Sequence, residues 1–270
     1  MYKKCFLAAA AAVVIAAGCW GYSDSGSAAT AHFYDAAQGG ASMAWTAWSA
    51  RWQQTAADYT NVSIAPGADD TKLNFAWYSQ AGTSSPIVYF GAGPSSLREF
   101  RGVCAAVDAG LTGGAKYEYN HVTVSGLKEN STYYYSVAKN GIKTPLRKYK
   151  TGSFRDIKIL FVGDPQIGAS KGQTQDGKKL TADSGAANTA ARNDGYAWTR
   201  TLEIASAQNP SLNFMISAGD QVNKTGKPKE EEYAAYLAPE TLAGLAEAST
   251  IGNHDSLNPD YFYLFFAPNM

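Results

Sequence analysis

Three short polar clusters stand out in the sequence because each directly follows a run of apolar residues. They are Gly163-Asp164-Pro165-Gln166, Gly219-Asp220-Gln221-Val222-Asn223 and Gly252-Asn253-His254-Asp255. Carboxylate, amide and imidazole groups carried by separate loops can converge on one edge of a sheet, which is how a scaffold builds a metal site. Hard oxygen donors together with a histidine suit Mn, Fe or Zn. The clusters therefore predict a metal-assisted site.

A pair of cations would explain these residue types. Two ions roughly 3.5 to 4 Å apart can hold both an attacking hydroxide and the oxygens of a phosphate during an in-line displacement. One carboxylate must then bridge the ions, and a glycine before each ligand would allow a sharp turn and leave room. The competing interpretation is that Asp164 and Asp220 only cap helices. The coincidence of three such loops favours the metal site.

The segments before the clusters must be neighbouring strands if the clusters are to meet. Residues 157–162 form a continuous apolar run, typical of a strand buried on both faces, and residues 212–217 and 249–252 predict two more strands. Helices are expected at 196–208 and 230–245. This alternation predicts an α/β layered domain with its site at the carboxyl ends of the strands.

The segment from residue 61 to residue 152 has a different pattern, with short alternating runs broken by turn residues. This pattern predicts an all-β sandwich. Leu127 lies six residues before Tyr133 at a predicted strand start, a spacing that resembles the tyrosine corner of fibronectin type III modules. On that strand, Tyr133, Tyr135 and Val137 should face inward.

Trp45, Trp48 and Trp52 recur at helical spacing, which places three indoles on one face of a helix at about 44–59. Packing against the next domain is favoured over a ligand-stacking platform, because buried aromatic residues mostly serve cores. Of the three cysteines, only Cys104 lies beyond the amino-terminal 19 residues, so no internal disulfide is expected. Cys104 should be a small buried apolar residue.

The amino terminus has the features of an export signal. Lys3 and Lys4 precede an apolar run that ends before Cys19, which predicts a signal peptide at 1–18. Small residues before Cys19 resemble a bacterial lipoprotein cleavage box, and a lipidated Cys19 would attach the protein to a membrane. The alternative is cleavage after Ala31 and free secretion. Residues 19–43, rich in Ser, Ala and Gly, are then a tether, and the protein is expected to be secreted or anchored to the cell surface.

Taken together and in order, the three motifs resemble those of the calcineurin-like metallophosphoesterases. With the preceding sandwich, the sequence is similar to the purple acid phosphatases over about residues 60–270. The resemblance implies that Asp164 binds the first metal ion, Asp220 bridges the pair and Asn253 binds the second. His254 would stabilise the transition state or protonate the leaving group. Asn223 occupies the position of a further metal ligand, which is a tyrosine in purple acid phosphatases.

Two departures from the family pattern matter. The general family has a histidine ligand where this chain has Gln166, and purple acid phosphatases also lack that histidine. Asn223 replaces the tyrosine that purple acid phosphatases place on iron, so no purple charge-transfer band is expected. Asp255 is expected only to orient its loop.

The resemblance implies an extracytoplasmic, acid phosphatase-like phosphoesterase that acts on phosphate esters with two metal ions (Fe, Mn or Zn). The domains would be a helix with a fibronectin III-like sandwich at 44–152 and an incomplete metallophosphoesterase domain at 153–270. The family needs histidines from two later loops, whereas the chain has only His32, His121 and His254. It is therefore expected to be C-terminally truncated and nearly inactive alone.

Charge argues against a nucleic-acid partner. Without residues 1–18 the chain has 21 basic and 23 acidic residues, a formal charge of −2. A different class of function remains open, in which the sandwich recognises glycan or protein at the cell surface and the α/β part is a non-catalytic remnant. Gln166 and Asn223, as weak neutral ligands, favour that alternative.

Overall fold

The amino-terminal part contributes one strand and one long helix to the computed structural model, which describes residues 12–14, 39–175, 177–226, 228–256, 264 and 266. Strand β1 is Ala12–Val14, and helix α1 is Gly39–Ala57. The predicted helix therefore begins five residues earlier than expected, and the last five residues of the predicted tether are helical. The rest of the predicted signal peptide and tether, including Cys19, lies outside the described residues.

The alternating segments form a sandwich of two antiparallel sheets, as predicted. The strands are β2 (Ser63–Pro66), β3 (Lys72–Gln80), β4 (Ile87–Gly91), β5 (Arg98–Arg101), β6 (Val103–Ala106), β7 (Tyr117–Ser125), β8 (Thr132–Lys139), β9 (Ile142–Lys143) and β10 (Arg147–Lys150). One sheet has the order β2-β3-β7-β6 and the other β10-β8-β4-β5, with β9 paired to β8. The inner faces meet in an aromatic core that includes Phe75, Trp77 and Phe90.

The corner before β8 has the expected geometry. Tyr133, Tyr135 and Val137 are buried, which confirms their inward face. The hydroxyl oxygen of Tyr133 accepts a hydrogen bond from the main-chain N–H of Lys128 (2.7 Å), and Leu127 is buried beside it. This bond ties the strand to the loop that precedes it.

The prediction for Cys104 is wrong, because its side chain is exposed. Cys104 lies on β6, an edge strand whose residues are all exposed. An edge strand pairs on one side only, and nothing in the described residues covers this one.

The carboxyl-terminal part is an α/β layer. Its elements are β11 (Ile159–Val162), β12 (Thr174–Gln175), β13 (Lys178–Lys179), α2 (Thr189–Gln208), β14 (Phe214–Ser217), α3 (Glu230–Tyr236), β15 (Ala246–Ser249) and α4 (Asn253–Ser256), with 3-10 turns at Gly185–Ala187 and Glu240–Ala243. Strands β1, β11, β14 and β15 form a parallel sheet in that order. Parallel neighbours end at the same edge, which brings their following loops together.

Several predicted boundaries in this layer need correction. Helix α2 begins at Thr189, seven residues before the expected start, because the Asn188 side chain caps it by accepting the N–H of Ala191 (2.9 Å). Helix α3 ends at Tyr236 instead of residue 245, and Pro239 follows it. Strand β15 lies three residues before the predicted 249–252. Residues 250–252 are free to form the site loop instead.

The expectation that residues 157–162 form a strand buried on both faces is also wrong. Leu160 and Val162 are buried against the helices, but Phe161, which points the other way, is 39% exposed. Helix α2 covers one face of the sheet only.

Helix α1 packs onto the α/β layer, which confirms a packing role for its indoles. The Nε1 atoms of Trp48 and Trp52 donate to the carbonyl oxygens of Arg192 (2.7 Å) and Ala186 (3.0 Å). The contact is therefore with the α/β layer, although the sandwich comes next in the sequence. Among the described residues, no helix is both long enough and apolar enough to cross a membrane.

Candidate metal centre

The loops after β11 and β14 are joined along their length by main-chain hydrogen bonds. The N–H of Gln166 donates to the carbonyl oxygen of Asp220 (2.9 Å), and that of Ile167 donates to Gln221 (3.2 Å). An isolated parallel bridge pairs Ile167 with Val222. The first and second predicted motifs therefore lie side by side.

The third loop reaches the same place through Asp220. The Oδ1 atom of Asp220 accepts the main-chain N–H of His254 (2.9 Å), while its Oδ2 atom accepts the side-chain amide of Gln166 (3.0 Å). Asp220 is only 4% exposed and receives one hydrogen bond from each of the other two loops. The structure thus brings together Asp164, Asp220 and His254, with Asn253 next to His254 on α4.

The polar residues themselves adopt the left-handed backbone conformation. The φ angle is +49° at Asp164, +37° at Gln166 and +50° at Asp220. The glycine before Asp220, Gly219, has a φ angle of +100°. Residues other than glycine rarely adopt this conformation, and the strain is often found at functional sites. The predicted need for glycine holds at position 219 but not at position 163, where an added Cβ would meet only the Ala218 methyl at 3.4 Å.

Asp255 lies beneath the loops, as its expected orienting role requires. Its side chain is fully buried, and Oδ2 accepts the N–H of Gly252 (2.9 Å). The carboxylate also lies near the main-chain N–H groups of Asp220 and Gln221, between the second and third loops. Burial raises the pKa of Asp255, and the main-chain N–H groups around it oppose the shift.

His254 is held in one tautomer. Its Nδ1 atom is hydrogen-bonded to the main-chain carbonyl oxygen of Asn223, and a carbonyl can only accept. Nδ1 must therefore carry a proton, which leaves Nε2 to exchange one with a substrate. The buried Lys229 side chain also donates to the His254 carbonyl oxygen (2.7 Å). Asn223 thus supports the histidine through its main chain.

The charges at this edge favour a bound cation. Burial raises the pKa of Asp164, and the neighbouring Asp220 carboxylate raises it further, while His254 acts in the opposite direction. A cation between two neighbouring carboxylates would relieve their repulsion. Within the described ranges, no group of three or more His, Cys, Asp or Glu residues is arranged to hold a metal ion. What the edge does offer is the neighbouring carboxylates of Asp164 and Asp220, with amide oxygens as the remaining candidate ligands.

Sequence reasoning missed three carboxylates that lie close to these loops: Asp194, Glu232 and Glu247. Burial raises the pKa of Asp194 and raises that of Glu232 to about 7. The sequence does contain an indication for Asp194, which lies at helical spacing from the buried residues Trp198 and Leu202 and so on the same face of α2. An acidic residue on such a stripe is costly unless it accepts hydrogen bonds.

Glu247 should make stability depend on pH. It is fully buried on β15, where the hydroxyls of Tyr236 and Ser249 each donate to its Oε1 atom at 2.5 Å. Burial raises its pKa from 4.5 to about 7, so the folded state binds this proton more tightly than the unfolded state does. Stability should therefore fall as pH rises from about 4.5 to about 7, by about 3 kcal/mol at most.

The variant Glu247→Gln should remove most of that decline, as measured by urea unfolding at pH 5 and pH 8. Glutamine keeps an oxygen that can accept from both hydroxyls. The exposed Glu99→Gln is the matched control and should leave the decline unchanged. An equal loss of stability across this range in wild type and Glu247→Gln would contradict the assignment.

Comparisons with known proteins identify the class of the sandwich. Residues 59–155 match the family of the purple acid phosphatase N-terminal domain. The sandwich is therefore similar to the N-terminal domain of purple acid phosphatases.

Among solved structures, the purple acid phosphatase PPD1 from yellow lupin (Lupinus luteus) seeds is similar, with 12% sequence identity and a TM-score of 0.48. The match covers 73% of this chain and 35% of the lupin chain. No curated protein matches the sequence.

Proposed function

We propose that the protein is an extracytoplasmic, metal-dependent phosphoesterase of the acid phosphatase type. The observation that carries this proposal is the convergence of three strand-end loops on the buried carboxylate of Asp220. In the proposed centre, Asp164 would hold one cation, Asp220 would be shared by two, and Asn253 would hold the second. Asn223 is a further candidate ligand through its side chain.

Purple acid phosphatases use dinuclear metal centres, and such a centre supplies a hydroxide nucleophile and neutralises phosphate charge. The residues of the chain would position these groups and supply a proton to the leaving group. Gln166 holds the Asp220 carboxylate through a hydrogen bond, and Asp255 holds the start of the third loop through the main-chain N–H of Gly252. His254, with its Nδ1–H held by Asn223, can donate a proton from Nε2 to the leaving oxygen of a phosphate ester when the ring carries a proton on both nitrogens.

The finer architecture and the location belong to the same proposal. The sheet order and the tyrosine corner support a fibronectin III-like sandwich, followed from about residue 153 by a metallophosphoesterase domain. The signal-like residues 1–18 support export, with attachment to a membrane through a lipidated Cys19 as one route.

One observation favours a binding module without catalysis. No described group of three His, Cys, Asp or Glu residues is arranged to hold a metal ion. In that case the sandwich would recognise a cell-surface partner, and the α/β layer would only support it. Metal affinity separates the two functions.

Calorimetric titration of the purified chain with Mn²⁺ or Zn²⁺ tests the proposal. We expect weak binding of up to two ions per chain, because few ligands are assigned to each ion, and inorganic phosphate should bind only to the metal-loaded protein. Asp164→Asn should remove one ion, because it changes a ligand of a single metal. Asp156→Asn, an exposed change before β11 and so at the opposite end of that strand, should have no effect. Equal metal binding by the chain and by Asp164→Asn would contradict the assignment.

A further inference from the structure

Asp194 on helix α2 holds the outer part of the first loop. A single oxygen, Oδ2, accepts the main-chain N–H groups of Gly168 (2.8 Å) and Ser170 (3.1 Å). The carboxylate therefore fixes the path of the chain just beyond Gln166 and Ile167.

Glu232 on helix α3 holds the matching part of the second loop. Its Oε2 atom accepts the main-chain N–H of Lys224 (2.7 Å). Glu232 also lies against the first loop, since a Cβ added to Gly168 would meet its Oε1 atom at 2.5 Å. This buried side chain thus contacts both loops at once.

We propose that Asp194 and Glu232 are positioning residues that together set the relative placement of the loops carrying Asp164 and Asp220. They are not ligands themselves, and they act through the main chain. The positioning role itself does not depend on the proposed function. Its consequence does rest on that function, because the spacing of Asp164 and Asp220 matters only if these carboxylates hold metal ions.

The loops need such support for a physical reason. Asp164, Gln166 and Asp220 adopt strained left-handed conformations, which persist only where surrounding contacts enforce them. Main-chain pairing joins the two loops to each other, from Asp164 to Asn223. It does not anchor the pair to the rest of the fold. The two carboxylates supply that anchor from two separate helices.

Hydrogen exchange of the metal-free protein tests the positioning role directly. Asp194→Ala should speed exchange of the Gly168 and Ser170 amides by about 10-fold or more, because each loses its hydrogen-bond acceptor. Glu232→Ala should do the same for the Lys224 amide. Asp194→Asn should restore slow exchange, because one amide oxygen can accept from both N–H groups.

Matched controls exclude general destabilisation. Glu231→Ala changes the neighbouring residue of α3, whose carboxylate accepts from Asn188 outside both loops, and Glu203→Ala changes an exposed residue of α2. Neither should alter exchange in the two loops. Amides of the sandwich strand β8 serve as a reference, since global unfolding would accelerate them too. Unchanged loop exchange in both alanine variants, or acceleration equal to that of β8, would overturn the proposal.

Metal affinity provides the second readout. Groups that hold metal ligands in place typically contribute 10- to 100-fold in affinity, so each alanine variant should weaken Mn²⁺ or Zn²⁺ binding by about that factor. Asp194→Asn should recover most of the lost metal affinity. Faster exchange with wild-type metal affinity would overturn the positioning role. A wild-type chain that binds no metal would instead refute the proposed function, while the exchange data would still decide whether the two carboxylates hold the loops.

Discussion

Asp220→Asn should abolish binding of both metal ions, with affinity falling by more than about 100-fold, because even residues that only support a ligand contribute up to that factor. The change removes the charge of the one carboxylate that both other loops contact. Asparagine keeps an oxygen for the His254 N–H, so the third loop should stay in place. The loss would therefore reflect lost coordination and not a collapsed site.

The difference between two variants makes this prediction specific. Asp164→Asn should leave one ion bound, whereas Asp220→Asn should leave none, because only Asp220 is assigned to both cations. Calorimetry with Mn²⁺ or Zn²⁺ measures this stoichiometry. Circular dichroism and thermal unfolding should show Asp220→Asn folded, with Asp156→Asn as the exposed control. If Asp220→Asn retained one tightly bound ion, Asp220 would not be the bridge.

Much of this architecture could be predicted from the sequence, because it depends on patterns that repeat along the chain. Alternation of apolar residues indicated the sandwich, and a polar cluster after each apolar run indicated loops at one sheet edge. The positions of individual elements were less predictable. Strand β15 is Ala246–Ser249 because it pairs in register with Phe214–Ser217, and that constraint comes from a neighbour 32 residues away.

The details that make the site could not be predicted from local patterns. The left-handed backbone at Asp164 and Asp220 arises because the two loops pair with each other, and aspartate has no strong preference for it alone. Asp194 and Glu232 were missed for a related reason. Their partners are main-chain N–H groups, which every residue but proline offers, so no residue type in the loops indicates them.

Gly252→Ala should disrupt the centre more completely than the loss of a single ligand. A Cβ at this position would lie 2.0 Å from the Oδ1 atom of Asp220 and 2.2 Å from its main-chain nitrogen. Such distances do not occur between non-bonded atoms, so the third loop must move away from the second. The hydrogen bond from the His254 N–H to Asp220 should break, and the carboxyl-end edge of the sheet should open.

We expect Gly252→Ala to lose about 1 to 3 kcal/mol of unfolding free energy from overpacking, together with measurable metal binding. Gly226→Ala is a close control, because it lies in the loop that carries Asn223 and an added Cβ there meets nothing within 4 Å. Urea unfolding and metal titration of the two variants measure both effects. Wild-type metal binding by Gly252→Ala would mean that the third loop contributes nothing to the centre. Asn253 and His254 would then have no place in it, since both depend on the turn at Gly252 to reach Asp220.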